Sequence, residues 1–217
     1  MKSFRAFAMR LLSSLVTGTI LLFSLLSCSE SDVHITGLFS SVVLDYSDWD
    51  SFPSSRFSVF VETSLDERAV SEIRAVHNQS GLEWHCKNPR IISTTKSSTW
   101  AGYTNFVAAS GSTIPQGNYT LYYEDLAGEE CQNIFSVSYP VELLETSAAD
   151  FRNMRIDREE NIALYDADGL LLYYGERKES WITNSDIKKE YGVAEKIRIC
   201  YRLYNGHTVC MMPEENL

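Results

Sequence analysis

Cys86, Cys131, Cys200 and Cys210 are the residues best suited to covalent chemistry in this chain of 217 residues. Thiols pair as disulfides, hold soft metals or act as nucleophiles. A zinc site is disfavoured, because there is no Cys-x-x-Cys pair and the nearest Cys/His neighbours are His85 and Cys86. Adjacent strand residues point to opposite faces, so those two do not readily share a metal. His34, His77, His85 and His207 are scattered through predicted strands or beside turns. They read as surface or edge residues rather than bases or ligands. Asp166-x-Asp168-Gly169 followed by Glu176 has the outline of a calcium loop, but Leu170 replaces the middle acidic ligand and the glutamate spacing is wrong. Turn chemistry accounts for it without a metal. There is no Gly-x-Ser-x-Gly elbow, phosphate loop, dinucleotide fingerprint or His-Glu-x-x-His. The expectation is therefore a non-enzyme with no cofactor and no metal. One cluster suits recognition instead. Asp45, Asp48 and Asp50 interleave with Tyr46, Trp49 and Phe52 ahead of Pro53. As a candidate ligand loop, its aromatics would stack on sugars or anchor a protein partner.

The fifth cysteine, Cys28, has different surroundings. Lys2, Arg5 and Arg10 precede an apolar run from Leu11 to Leu26, which ends in Leu25-Leu26-Ser27-Cys28. A basic start followed by an apolar stretch has the build of a secretory signal. A 16-residue run broken by Ser13, Ser14, Thr17, Gly18 and Thr19 falls short of the ~20 apolar residues a spanning helix needs. Leu25, Ser27 and Cys28 resemble the lipobox of bacterial lipoproteins, with Leu26 a looser fit of the kind spirochaete lipoproteins tolerate. The resemblance implies cleavage before Cys28, a diacylglycerol on its sulfur and an acylated new N-terminus. The protein would then be lipid-anchored on a bacterial membrane, facing the periplasm or the cell exterior. Each buried methylene of such a lipid contributes about 0.8 kcal/mol of anchoring.

Removing residues 1–27 takes away three basic residues, so the net charge moves from −10 to −13. Such a surface repels phosphate backbones and anionic lipid heads, excluding nucleic-acid binding and leaving membrane attachment to the lipid. Hydrophobic residues make up 44% of the chain, enough for a buried core.

The elements that must position these groups read as strands. Phe57, Val59 and Val61 alternate with Ser58, Phe60 and Glu62. Residues 73–77 and 82–86 flank Asn78-Gln79-Ser80-Gly81 as a hairpin. Tyr119, Leu121 and Tyr123 share a face, as do Phe135, Val137 and Tyr139, with Asp125-Leu126-Ala127-Gly128 turning between them. Regular short strands argue for an antiparallel β-sandwich. Pro115-Gln116-Gly117-Asn118-Tyr119-Thr120-Leu121 resembles the Pro-x-Gly-x-Tyr-x-Leu start of a late strand in immunoglobulin-like domains, and Trp84 resembles their inner-strand Trp. The resemblance covers residues 33–140 and implies a tyrosine hydroxyl tied to backbone at that corner. The fold hosts adhesins, chaperones and spacers alike and carries almost no functional information.

With Cys28 taken by lipid, four cysteines in an exported chain are an expected pair of disulfides. If Leu82, Trp84 and Cys86 face inward with Phe135, Val137 and Tyr139, then Cys131 shares their parity, and Cys86–Cys131 is expected. Near Asn205-Gly206, a two-residue turn pairs Tyr201 with Cys210 and sends the two cysteines to opposite faces. A three-residue loop brings Cys200 opposite Cys210 at a non-hydrogen-bonded pair, about 4.5 Å apart at the α-carbons, and is the expected register.

Residues 142–153 read as a helix or linker. Residues 161–165 and 170–174 form a hairpin around Asp166-Ala167-Asp168-Gly169, and Ser185 caps a short helix to Tyr191. The expected organisation is a signal peptide at 1–27, a lipidated Cys and tether at 28–32, an immunoglobulin-like β-sandwich at 33–140, and a smaller, mainly β unit with a short helix at 141–217. The sequence leaves open whether that last unit is a separate domain or an extension of the sandwich. The expected function is a non-catalytic binding or structural module of the bacterial envelope, with a protein or carbohydrate partner. The alternative is an exported enzyme or enzyme accessory acting on envelope polymers.

Overall fold

In a computed structural model of the chain, residues 33–64, 69–93, 98–109, 112–203 and 206–217 are described. Cys28 and its leader lie outside them, as do Tyr204 and Asn205. No helix among the described residues is long and apolar enough to cross a membrane.

Two sheets face each other. The larger runs in the order β10 (Leu171–Gly175), β9 (Arg158–Tyr165), β11 (Lys196–Leu203), β12 (Thr208–Met211), β1 (Ile35–Asp45), β2 (Ser54–Thr63), β6 (Thr99–Val107) and β5 (Arg90–Ser93), with β13 (Glu215–Asn216) added to β11. The smaller is β4 (Glu83–Cys86), β3 (Val70–His77), β7 (Gly117–Asp125) and β8 (Glu130–Val137). The fold is mainly β, a sandwich with two short helices, α1 (Ala148–Asn153) and α2 (Asn184–Glu190). The alternation in β2 does what its period implies: Phe57, Val59 and Val61 are buried against Ile73, Leu121 and Tyr123 of the facing sheet. Phe57 is ringed by Trp84, Phe106, Tyr119 and Phe135, all within 5.9 Å between centroids.

The Tyr119 hydroxyl donates to the Pro115 carbonyl at 2.6 Å, tying the corner to backbone. Gly117 turns that corner at φ +132°, a conformation that favours glycine. Helix α2 begins two residues earlier than a Ser185 cap would place it. The Asp186 carboxylate accepts from both the Thr183 backbone N–H (2.9 Å) and its hydroxyl (2.8 Å).

Residues 33–217 form one compact unit, and the large sheet runs unbroken across position 140. The C-terminal segment extends the sandwich. Tyr201, Leu203, Cys210 and Met212 sit in the same core as Val42 and Phe57. A second, smaller cluster of Ile162, Leu164, Trp181, Ile187, Ala194 and Ile197 packs α2 under the far end of the sheet. One pairing departs from an antiparallel plan: β1 and β12 run parallel, Val42 beside Thr208 and Leu44 beside Cys210.

Both expected disulfides are absent, and all four described cysteines are free thiols. Cys86 pairs with Ile73, Ile73 with Tyr123, and Tyr123 with Cys131. The two cysteines share a face, as parity requires, but occupy opposite edges of the four-stranded sheet. Three inter-strand steps of about 4.8 Å put them about 14 Å apart, beyond disulfide reach. In the C-terminal hairpin Tyr201 pairs with Cys210 and Cys200 with Met211, the register of a two-residue turn. Cys210 therefore joins the core beside Tyr201, and Cys200 points to the opposite face. The parallel partner β1 makes this register necessary, because it carries Leu44 and Cys210 into the interior together.

Candidate binding groove

The β1–β2 connection holds the acid–aromatic cluster, and its members part company. Tyr46 is fully buried, its ring 6.1 Å from that of Phe151 in α1 and its hydroxyl 3.5 Å from the Leu143 carbonyl. Trp49 is partly buried on the same core, with Arg152 5.6 Å above its ring, and its carbonyl accepts from the Ala149 N–H at 2.9 Å. The aromatics are thus not exposed together. The reason is the neighbouring 3-10 turn (Val141–Glu145) and α1, which cover this end of the sandwich and take up Tyr46 and Trp49. Asp48 folds the turn itself: Oδ1 accepts from the Asp50 N–H at 3.0 Å, and its own N–H donates to Ser51 Oγ at 3.2 Å. Asp50 is exposed. Of the three aromatics Phe52 is the one that is mostly exposed, at 63%.

Phe52 stands at the rim of a groove of about 700 Å³ that also takes in Asp45, Arg56, Asn105, Val107 and Thr113. The start of β2 forms one wall and the end of β6 the other, joined by the antiparallel pairs Arg56–Val107 and Phe57–Phe106. Ser55 Oγ accepts from the Ile114 N–H at 3.1 Å and fastens the floor.

Charge in the groove is organised around Asp45. Its Oδ1 accepts from Arg198 Nη2 at 2.7 Å, and its Oδ2 lies 3.6 Å from Arg56 Nη2. Arg198 reaches across from β11 and also donates to the carbonyls of Tyr46 (3.2 Å), Met211 (3.2 Å) and Met212 (2.7 Å). Arg56 donates to the Thr104 carbonyl at 2.7 Å. Each guanidinium is thus held by carbonyls as well as by the carboxylate, a planar fork satisfied on several sides. The two arginines were not singled out from sequence. For Arg198 the available signal was a charged residue set between apolar neighbours in a predicted strand, Ile197-Arg198-Ile199.

The histidines divide as well. His34, His85 and His207 are exposed, His85 lying between Glu72 (2.8 Å) and Glu83 (3.2 Å). His77 is buried, contrary to the surface reading. Its ring bonds Ser80 Oγ at 2.7 Å and the Gln116 carbonyl at 3.1 Å, closing the hairpin against the neighbouring corner. Asp166 accepts from the Asp168 and Leu170 N–H groups at 3.0 and 2.8 Å, a turn built by its own side chain. Among the described residues, no cluster of three His, Cys, Asp or Glu side chains could hold a metal ion. Burial pushes the Cys200 thiol up to about 11 and the Cys210 thiol up to about 12, so both stay protonated and unreactive at neutral pH.

Comparison with known proteins finds no family model that matches the chain and no similar curated protein.

Proposed function

We propose that this chain is a non-catalytic lipoprotein of a bacterial envelope, tethered through Cys28 and binding a hydroxyl-rich ligand such as an envelope glycan in the groove beside Phe52. The carrying observation is the combination found there: a solvent-facing aromatic ring above a groove whose charged groups are already paired with one another. A ring face offers apolar contact to the C–H faces of a sugar, and Asn105, Ser54 and Thr113 offer neutral hydrogen-bonding groups. With Asp45 engaged by two arginines, the groove favours recognition over proton transfer, which needs a carboxylate free to change state. The lipobox motif supports the tether, and the acidic surface leaves attachment to the lipid.

Phe52→Ala tests the groove. The ring is mostly exposed, so thermal stability should change little while retention on isolated envelope polysaccharide falls at least five-fold. Undiminished retention by a folded Phe52→Ala protein would remove the groove from the account. Cys28→Ala tests the tether independently: the variant should leave the detergent phase, and a variant that stays there would overturn the lipid anchor.

A further inference from the structure

Away from the groove, under the far end of the large sheet, three aromatic rings converge on one ammonium group. Tyr173 comes from β10, Trp181 from the turn after it, and Tyr191 from the C-cap of α2. Tyr173 and Trp181 meet at 5.0 Å and 74°, and Trp181 and Tyr191 at 5.8 Å and 86°. Tyr173 and Tyr191 close the third side at 5.7 Å and 56°. Lys178 Nζ lies 5.7 Å, 4.9 Å and 5.8 Å from these three centroids, inside the cation–π range of each. Glu190 supplies the remaining wall. One of its oxygens accepts from the Trp181 indole N–H at 3.0 Å and the other binds the Lys178 ammonium. Hydrogen bonding to that carboxylate also raises the lysine pKa, so the occupant is a cation.

We propose that Tyr173, Trp181, Tyr191 and Glu190 form a binding site for a primary alkylammonium ligand, with Lys178 as its resident competitor. The walls stand without the occupant. Trp181 is nearly fully buried and hydrogen-bonded to Glu190, and the rings brace one another. The occupant is the loose component: its side chain is 40% exposed and enters on a flexible four-carbon stem. The backbone turn that presents it is closed by the Trp181 N–H donating to the Lys178 carbonyl at 2.9 Å, a bond that survives departure of the ammonium. The carboxylate wall selects a primary amine, since a quaternary ammonium has no N–H to give it. A chain of net charge −10 also gathers cationic ligands at its surface. A tethered competitor acts at an effective concentration in the millimolar range, which sets what an incoming amine must exceed.

The test follows the indole N–H of Trp181 by NMR, using the full-length chain in detergent at constant ionic strength, with the signal assigned from Trp181→Phe. In Lys178→Ala, n-butylammonium should give a saturable shift at a concentration at least five-fold lower than in the parent. 1-Butanol should give none, and adding Glu190→Gln should abolish the response. Lys178→Gln, which keeps most of the stem, replaces Lys178→Ala should the latter fail to fold. Absence of a saturable shift, or an equal response to butanol, would overturn the site. Tetramethylammonium binding as tightly as butylammonium would overturn the primary-amine assignment.

Discussion

Two tyrosine hydroxyls make opposite predictions from similar burial. Tyr119 donates to Pro115 at 2.6 Å, whereas Tyr46 stands 3.5 Å from its acceptor, at the limit of a hydrogen bond. Tyr119→Phe should therefore cost about 1 kcal/mol or more in urea unfolding, and Tyr46→Phe under about 0.5 kcal/mol. Tyr46→Ala is a different substitution, since it empties a fully buried ring position, and it should cost about 3–5 kcal/mol. The thiols predict a pH dependence. Burial raises Cys200 and Cys210 from an ordinary value of 9 to about 11 and about 12. Their contribution is thus fully present below pH 9. It falls as pH climbs from 9 to about 12, because the unfolded chain ionises first and binds fewer protons. Denaturation midpoints should drop over that window, and drop less in Cys200→Ser/Cys210→Ser. Non-reducing peptide mapping should find four unlinked cysteines at 86, 131, 200 and 210. Parity was legible for Cys86 and Cys131, because a period of two says which face a side chain takes. Sequence says nothing of how many strands stand between two residues on that face, and here two do.

Close approach between elements is carried by a glycine that the strand pattern alone would not explain. A Cβ on Gly102 in β6 would lie 2.3 Å from both the Val59 carbonyl oxygen and the Phe60 ring on β2. Neither atom is the loose end of a flexible chain. Gly102→Ala should cost at least about 2 kcal/mol in thermal or urea unfolding. Gly169, in an open turn at φ +81°, meets nothing within 4 Å, so Gly169→Ala should cost only the ~1 kcal/mol of backbone strain. The Asp45 link between β1, β2 and β11 predicts another loss. Asp45→Ala leaves two guanidiniums facing each other, and should cost about 2 kcal/mol, less than a fully buried pair because the carboxylate is about a quarter exposed. Strands β2 and β7 were legible because apolar residues recur at every second position, and those positions are the fully buried ones. The C-terminal register was not. Asn205-Gly206 signals a two-residue loop, and the expected pairing of Cys200 with Cys210 overrode it in favour of three residues. The structure keeps the two-residue register because β12 answers to two neighbours, and β1 lies more than 160 residues away in sequence.

At the scale of the whole molecule, one core spans the sandwich and the C-terminal segment. Removing residues 204–217 would strip β12 from β1 and take Cys210 and Met212 from that core. Such a chain should lose cooperative unfolding altogether, seen as a flat thermal melt by near-UV circular dichroism. The parent should unfold in one transition despite its second cluster, because β9 and β11 belong to both the cluster and the continuous sheet. The candidate site was half legible at this scale. Its loop could be named from aromatics set among aspartates, but which ring would reach water depended on α1, a cover that the loop's own residues do not encode.

The parallel union of β1 with β12 carries a kinetic consequence. The first strand of the fold pairs at once with β2, but finds its second neighbour only in the last fifteen residues of the chain. Pairings of such high sequence separation are slow to form, since a long loop must close before any contact rewards it. A polypeptide delivered N-terminus first through a narrow passage would hold β1 with one edge unsatisfied until transit was nearly over. The topology itself delays closure of the core until the tail arrives to complete the sheet.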